Sequence, residues 1–518
     1  MNGREDNLSD FLMFPSLTLK EIEEKKDVIE EWLHDPNILQ RINNTLGIRI
    51  VGEENLRMLL FLCGFSVFHR YKMSAIVQGA AATGKSYICR NVLKFFPNVI
   101  HFSRMTPAFL DRLRMNIDNY IFYVYELLAS QEATGQLRLV LSEGELRLAT
   151  VVGHGPNNIE TRIISTKGTP VYITTTIKNV IEDQLGSRCW LVNTNESEEQ
   201  TKKVLNHIAL RHSTPDWDSW KEEEIQLRYL VNFFSYFRVS RVLGYEDFDD
   251  ILIPYAVELA TLFGMKEERM RRDYERLLNL IKTITLLHYK QRPIVELPNR
   301  TKKLLSTLDD CKNALKIAEP FMTMTFLGLH TKSIEIYKQL KEIFEESEFT
   351  TREAAEALNL SMNRTRELLI PLYKKGFLNR DESSKVHRYS FTKKEMPKNG
   401  TILKIVESSD FFNEEKLKNW LSGIGGVIRS ETKAKESQEN EEFKNSTAIF
   451  QAYYPGKPKE AQIEAFAPKE AQKFSEIENR ATVEDKNKFF HCERCNSTFL
   501  TVQDFSEHMK WCLKIKPI

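Results

Sequence analysis

The eight-residue run GAAATGKS, from Gly79 to Ser86, constrains this chain more than any other feature of its sequence. It follows the apolar segment 75–77 and precedes a helical pattern, YICRNVLKFF. Glycines let the backbone curl so that its N–H groups face a phosphate, and the positive end of the following helix adds to the attraction. The pattern therefore predicts a strand, a phosphate-binding loop and a helix.

Each position of this loop has an expected task. Lys85 is expected to contact the β- and γ-phosphates of ATP, and Ser86 to hold Mg²⁺. The other cofactor-binding residues are those whose backbone surrounds the phosphates: Gly79, Ala80, Ala81, Ala82, Thr83 and Gly84. The sequence thus predicts ATP and Mg²⁺ as ligands.

The strand-like runs after this point predict an α/β fold. Between residues 74 and 195, the segments SAIVQ, NVIHF, YIFYVY, PVYITTT and CWLVN alternate with helical stretches. This alternation is typical of a parallel sheet covered by helices.

The rest of the chain divides by periodicity and composition, since 518 residues exceed one compact core. We predict a helical segment at 1–50, an ATPase core at 51–200, a helical lid or bundle at 201–345, a winged helix at 346–395, a short helical segment with a flexible charged linker at 396–488, and a zinc finger at 489–518.

Hydrophobicity and charge limit the expected cellular location and partners of the protein. No apolar run reaches about 18 residues, and the polar N-terminus does not resemble a secretion signal. We therefore expect an intracellular protein, cytoplasmic if its source is prokaryotic, without a membrane partner. The net charge is only +1, so any DNA contact must come from local surfaces.

Hydrolysis requires an acidic group near the phosphates, and Glu126 is the best candidate. It ends the apolar strand 121–125, where a carboxylate would activate water or help to position Mg²⁺. Tyr125 occupies the place where an Asp usually precedes this Glu. The alternative is a surface Glu that caps the next helix.

The order of these elements resembles a known family. The segment ELRLATVVGHGPNNIETRIISTKGTPVYITTT, followed by QLGSRCWLV, resembles AAA+ helicases that carry a hairpin before the sensor 1 strand. The similarity is closest to minichromosome-maintenance-like helicases and to the ATPase modules of mobile-element primase-helicases, over residues 45–295. It implies an AAA+ core.

The resemblance assigns further roles. It implies that Thr176 is the sensor 1 residue, that Arg188 is an arginine finger acting on a neighbouring subunit, and that Arg272, or Arg271 in the same turn, is the sensor 2 arginine. An arginine that acts across an interface requires a homo-oligomer, and the family implies a hexamer. The alternatives are a β-forming threonine run, a surface arginine and a basic helix face.

The family's hairpin projects into the ring channel. Residues 146–165 read as two strands around the turn sequence GHGPNN. The resemblance implies that His154 at the tip grips DNA, a single strand or a fork. The alternative is a structural hairpin with an incidental His.

A second DNA-binding unit is predicted near residue 350. Thr350 and Glu353 have capping-box spacing before a helix, and a second helix and a hairpin follow, as in a winged helix. Its expected DNA-binding residues are Arg364, Arg366 and Arg388. A protein-binding role is the alternative.

The C-terminal segment has the spacing of a zinc site. Cys492, Cys495, His508 and Cys512 suit one tetrahedral Zn²⁺ in a ββα finger, with Phe499 and Phe505 at its apolar positions. Three thiolates and one imidazole leave no open position, so the site is expected to be structural.

Together these features predict an ATPase coupled to DNA unwinding, a ring-forming helicase or translocase for replication of a mobile or viral element. A DNA-binding regulator, or an initiator or loader without processive unwinding, remains the alternative. The sequence has no evident primase motif, so priming would need a primase or polymerase partner.

Overall fold

The structure is a computed structural model and describes residues 12–103, 105, 109–110, 113, 116–127, 131–153, 159–178, 181–217, 219–237, 251–263, 270–327, 331–345, 347–381, 387–393, 401–429, 490–492 and 497–499. Within these ranges, no helix combines the length and the apolar character needed to cross a membrane.

Four helices precede the sheet: α1 (Leu19–Glu23), α2 (Lys26–His34), α3 (Ile38–Gly47) and α4 (Glu54–Phe65). Thr18 and Glu21 form a capping box that starts α1. In α4 every residue from Leu56 to Phe65 is buried, because this helix packs under the sheet as well as against its neighbours. Helices α1, α2 and α3 lie within the segment predicted to be helical at 1–50, and α4 follows it inside the predicted ATPase core.

The next region alternates strands and helices, as the sequence predicts. Its elements are β1 (Ser74–Gln78), α5 (Lys85–Leu93), β2 (Val99–Phe102), β3 (Ile121–Val124), α6 (Gln131–Glu143), β4 (Glu145–Gly153), β5 (Ile159–Lys167), β6 (Val171–Thr176), α7 (Asp183–Gly186) and β7 (Cys189–Asn193).

Five of these strands form one parallel sheet in the order β2-β3-β6-β1-β7. Strands β1, β3 and β6 are buried throughout, as expected when helices cover both faces of a sheet. The prediction of an α/β core with a parallel sheet is confirmed, and all five predicted strands are present. Strands β4 and β5 form a separate antiparallel hairpin directly before β6.

The helical region after the sheet contains α8 (Glu198–Ser213), α9 (Glu222–Phe237), α10 (Ala256–Thr261), α11 (Met270–Leu287), β8 (Ile294–Glu296), β9 (Lys302–Leu304), α12 (Leu308–Leu327) and α13 (Thr331–Phe344). Strands β8 and β9 were not expected in a region predicted to be helical. A strand of three residues is too short to show a recognisable alternation of apolar and polar residues in the sequence.

The remaining elements are β10 (Phe349–Thr350), α14 (Thr351–Ala357), α15 (Met362–Lys374), β11 (Leu378–Asp381), β12 (Arg388–Phe391), α16 (Thr401–Val406), α17 (Glu414–Ile424), β13 (Val427–Arg429), β14 (Phe490–Cys492) and β15 (Ser497–Phe499). Strands β10, β12 and β11 form a small antiparallel sheet in that order.

Part of the segment predicted as a short helix and linker also forms sheet. Strand β13 pairs with β8 in an antiparallel ladder, in which Ile428 lies opposite Val295. Gly425 ends α17 in the left-handed conformation and turns the chain towards this strand. Residues 401–429 therefore fold back onto the helical region.

Candidate functional site

The phosphate loop follows β1, which lies between β6 and β7 in the sheet. A Cβ atom on Gly79 would lie 2.3 Å from the hydroxyl of Thr194, so only glycine fits at this point. Gly84 has φ +82° and caps the N-terminus of α5, a conformation that glycine adopts without strain. Glycine is therefore required at Gly79 by the lack of space and favoured at Gly84 by the backbone conformation.

Lys85 lies folded against its own loop. Its amine donates hydrogen bonds to the carbonyl oxygen atoms of Gly79 (2.9 Å) and Ala80. Burial lowers the pKa of Lys85. The cation is therefore held over the loop, next to the N-terminus of α5, which is where a phosphate is attracted.

The second half of the candidate site comes from β3 and β6. Because parallel strands end at the same edge of a sheet, Glu126 and Thr176 lie on the same side as the loop. Glu126 is exposed. Thr176 is buried and level with Gln78, the residue before the loop.

Tyr125 fills the position where an Asp was expected. Its ring packs edge-on against Tyr123, with ring centres 4.9 Å apart, and its carbonyl oxygen accepts a hydrogen bond from the Thr175 hydroxyl (2.5 Å). Tyr125 and Ser86 line the same cleft. Tyr125 therefore does not provide the carboxylate expected at this position, and Glu126 is the acidic residue nearest in sequence to this strand end.

Two contacts with the phosphate loop were not predicted from the sequence. The carboxylate of Glu196 accepts a hydrogen bond from the backbone N–H of Ala80 (2.8 Å), inside the phosphate loop. The hydroxyl of Thr194 donates to that of Thr83 (2.9 Å). Both residues follow β7, so the only sequence signal was a run of polar residues after a buried strand.

Glu53 supports this segment from the start of α4. Its carboxylate accepts a hydrogen bond from the backbone N–H of Asn195 (2.7 Å). Burial raises the pKa of Glu53 to about 6. The phosphate loop is thus bordered by two carboxylates, Glu53 and Glu196, on its β7 side.

Arg188 lies at the opposite edge of the sheet. It precedes Cys189, which pairs with Ser74 at the first position of β1, whereas the phosphate loop follows Gln78 at the last position. Strands rise about 3.3 Å per residue, so the two edges are separated by roughly 16 Å. Arg188 therefore does not reach the phosphate loop of its own chain.

Two other arginines accompany Arg188, and we call Arg138, Arg188 and Arg272 the arginine edge. Arg188 donates hydrogen bonds to the Ser142 hydroxyl and to the Gln184 carbonyl oxygen (both 2.5 Å). Burial, followed by the charges of Arg272 and Arg138, lowers the pKa of Arg188.

Arg272 joins this edge from α11. Its guanidinium donates a hydrogen bond to the Ser187 hydroxyl (2.7 Å), next to Arg188, and both Arg272 and Arg271 are exposed. The sequence assigned Arg272 to nucleotide binding. Its contact with Ser187 places it beside Arg188, at the strand ends opposite the phosphate loop of its own chain.

The predicted DNA-binding residues lie on the β4–β5 hairpin and on α15 and β12. The hairpin strands are paired through nine positions, but His154 lies outside the described residues. Arg364 lies 3.1 Å from Glu367 on α15, where Arg366 is exposed. Arg388 lies on β12, 3.9 Å from Glu348.

The predicted zinc ligands are divided between a described hairpin and residues outside the described part of the chain. Cys492 ends β14, which pairs with β15 as an antiparallel hairpin, while Cys495, His508 and Cys512 lie outside the described residues. Among the residues that are described, no group of three His, Cys, Asp or Glu side chains is arranged to hold a metal ion. Zinc therefore has no support from the described part of the chain.

Comparison with known proteins agrees with the geometry of the loop. Residues 21–227 match a family model described as the MTBMA_p00010 P-loop domain. No curated protein matches the sequence. The matched range includes the whole parallel sheet and the loop that follows β1. The chain therefore contains a P-loop domain of the kind that binds nucleoside triphosphates.

Proposed function

We propose that this protein is a ring-forming, ATP-dependent DNA helicase or translocase of the AAA+ type, acting in replication of a mobile or viral element. The observation that carries the proposal is the separation of the phosphate loop from the arginine edge. A chain that presents a nucleotide site on one side and three arginines on another is suited to build each complete site from two copies.

The arginine edge has a chemical reason to meet a phosphate. Arg188 and Arg272 repel each other because they carry like charges at close range. An anion bound between them would offset this electrostatic repulsion. A triphosphate on a neighbouring copy supplies such an anion, and arginine stabilises the charge that develops during phosphoryl transfer. In a closed ring of copies, every interface pairs the arginines of one copy with the triphosphate of the next. The resemblance implies that this ring is a hexamer.

The remaining roles follow from the loop edge of the sheet. Lys85 and the loop N–H groups bind the triphosphate, Glu126 activates the attacking water, and Thr176 orients it. The Ser86 hydroxyl, at the first turn of α5 and open to the cleft, fits a Mg²⁺ ligand, and Mg²⁺ neutralises phosphate charge when bound. The neighbour's Arg188 completes the site.

The proposed DNA contacts use the hairpin and the C-terminal units. The β4–β5 hairpin stands directly before β6, the strand that ends in Thr176, so movement at the nucleotide is passed to the hairpin and its tip residue His154. The unit of β10, α14, α15, β11 and β12 has the element order of a winged helix, which supports DNA contact through Arg364, Arg366 and Arg388.

The C-terminal hairpin supports a tethered finger as a further part of the proposal. Strands β14 and β15 pair as an antiparallel hairpin, as the two strands of a ββα unit would, and Cys492, Cys495, His508 and Cys512 provide a donor set that suits structural Zn²⁺. In this proposal the finger raises the local concentration of a partner near the ring.

Fork unwinding by the purified protein with ATP tests the proposal. We expect strand displacement by the wild-type chain and none by Lys85→Ala, because the variant loses the cation held at the loop. A wild-type chain that hydrolyses ATP and binds DNA but displaces no strand would contradict it.

The second candidate function is a non-unwinding regulator or an initiator. The winged-helix-like unit, with its three-stranded sheet of β10, β12 and β11, favours this function. This function predicts binding to one duplex sequence without strand displacement. Measurement of duplex binding with several unrelated sequences, beside the fork assay, separates the two functions.

A further inference from the structure

The phenol of Tyr123 lies buried beside the candidate site. Tyr123 is the third residue of β3, and its side chain is fully buried. Its hydroxyl oxygen has no hydrogen-bond partner of normal geometry among the described residues. A buried hydroxyl without a partner costs free energy, so its presence in a folded protein requires an explanation.

Tyr123 faces α5, the helix that follows the phosphate loop. It belongs to the same core cluster as Ile88 and Cys89 of α5. Tyr125, two residues further along the chain, packs against the same cluster, with its ring edge-on to that of Tyr123. Tyr125 and Ser86 line the same cleft. This face of β3 is therefore adjacent to the first turn of α5.

The Ser86 hydroxyl lies beside the phenol. Burial raises the pKa of Tyr123 far above its ordinary value, and the Ser86 side chain, as a nearby hydrogen-bonding group, acts in the opposite direction. The two hydroxyls are neighbours, although their present arrangement is not a hydrogen bond of normal geometry. Ser86 is exposed, so its side chain can rotate towards the phenol, whereas the buried phenol is held by packing.

We propose that Tyr123 is a positioning residue that orients the Ser86 hydroxyl for Mg²⁺ in the nucleotide site. A hydroxyl that offers a lone pair to a cation turns its O–H bond away from that cation, and this O–H then requires an acceptor. The phenol oxygen of Tyr123 is such an acceptor. The inference rests on the proposed function, since it concerns the Mg²⁺ that accompanies ATP there.

The residue at position 125 gives the phenol this role. An Asp there would offer a charged acceptor after β3, whereas this chain has Tyr125. Hydrogen bonds to neutral acceptors are about half as strong as those to charged ones. We therefore expect the phenol to contribute a modest part of the Mg²⁺-dependent affinity for nucleotide, and Ser86 to contribute a larger part.

The test uses the full-length chain and a fluorescent ATP analogue, with affinity measured in Mg²⁺ and again in EDTA. Tyr123→Phe removes only the phenol oxygen. We expect the ratio of the two affinities to fall by about 2- to 10-fold, the effect of one hydrogen bond. The affinity in EDTA should stay at the wild-type value, because the phenol acts only through the metal ligand. Ser86→Ala should lower the ratio at least as much.

Tyr172→Phe is the matched control. Tyr172 lies opposite Phe122 in the sheet, one position before the partner of Tyr123, so it faces the other side. Its hydroxyl is also buried without a hydrogen-bond partner among the described residues. This variant should keep the wild-type ratio. Both phenylalanine variants should unfold at the wild-type denaturant concentration or above it, since each removes a buried hydroxyl that lacks a partner.

A double variant shows whether the phenol acts through Ser86. In the Ser86→Ala background, Tyr123→Phe should have no further effect on the ratio. An unchanged ratio in Tyr123→Phe alone would overturn the inference, as would equal losses of affinity in Mg²⁺ and in EDTA, or additive effects of the two substitutions. Each of these results leaves the helicase proposal intact. A chain that shows the expected ratios but unwinds no fork would refute only the proposed function.

Discussion

The two edges of the parallel sheet are built in different ways. At the loop edge, backbone N–H groups, Lys85 and Ser86 come from one contiguous motif, and Glu196 and Thr194 join from the adjacent strand end. The arginine edge brings together Arg138, Arg188 and Arg272 from α6, the turn after α7, and α11. In the proposed function, one edge binds an anion within the chain, and the other presents cations to a second chain.

The largest expected effect is at the arginine edge. Replacement of Arg188 by Ala should reduce ATP turnover by about 10³-fold or more, as for other arginines that stabilise transferring phosphate. Nucleotide affinity should change much less, because the loop edge is intact. Steady-state ATPase assays and binding of a labelled nucleotide measure the two quantities separately.

A mixing experiment sharpens this prediction. We expect neither Arg188→Ala nor Lys85→Ala to be active alone, whereas a mixed oligomer would have interfaces where an intact loop faces an intact arginine. We therefore expect partial recovery of turnover on mixing. Mixed oligomers without any recovery would show that Arg188 does not act between copies.

The same comparison explains what the sequence could reveal. GAAATGKS is contiguous and flanked by a clear strand and helix, so its residues and the α/β core were predictable. The contact of Glu196 with Ala80 depends on β7 lying beside β1, and that of Arg272 with Ser187 joins positions 85 residues apart. Such contacts follow from topology, and local periodicity does not encode them.

Glu126 at the loop edge comes next in size. Glu126→Gln keeps the shape of the side chain but removes its basicity, so turnover should fall by about 10²- to 10⁴-fold. The affinity for ATP should remain near the wild-type value. Tyr125→Asp tests the neighbouring position. A higher turnover in this variant would indicate that the absence of a second carboxylate limits the activity of the wild-type chain. Unaltered turnover of Glu126→Gln would assign the base elsewhere.

The next prediction concerns the buried carboxylate of Glu224 behind the loop edge and its contribution to the free energy of unfolding. Glu224 is buried and joins Arg49 to Lys94, the residue that follows α5. Glu224→Ala leaves both cations buried without this carboxylate and should lower the free energy of unfolding by about 3 kcal/mol. Denaturant unfolding measures the change, and Glu223→Ala, exposed on the same helix, should cost less than about 0.5 kcal/mol.

This difference should also depend on pH. Burial raises the pKa of Glu224, but hydrogen bonds from Arg49 and Lys94 outweigh that effect and lower it to about 2, from 4.5. The carboxylate therefore stabilises the fold fully above pH 4.5, and its contribution decreases as the pH falls towards 2. A difference that stays constant over this range would contradict the pairing.

A smaller stability effect is expected inside the loop. In Gly79→Ala, the new methyl group would lie 2.3 Å from the Thr194 hydroxyl and 3.0 Å from that of Thr83. Overpacking of this kind costs about 1–3 kcal/mol. Thr194→Ala removes the closer atom, so the double variant should recover part of the loss. A double-mutant cycle without coupling would show that the loop has moved away from Thr194.

The smallest effect concerns Glu53, which supports the loop edge through Asn195. Burial raises its pKa from 4.5 to about 6, so the folded chain holds this proton more tightly than the unfolded chain. The contribution of Glu53 to stability is therefore greatest below pH 4.5 and falls as the pH rises to about 6. Glu53→Gln keeps an acceptor for the Asn195 N–H but does not titrate. The stability of the variant relative to the wild type should increase across this interval, measured by denaturant unfolding at each pH, and a flat difference would mean that the carboxyl is solvated like an ordinary surface Glu.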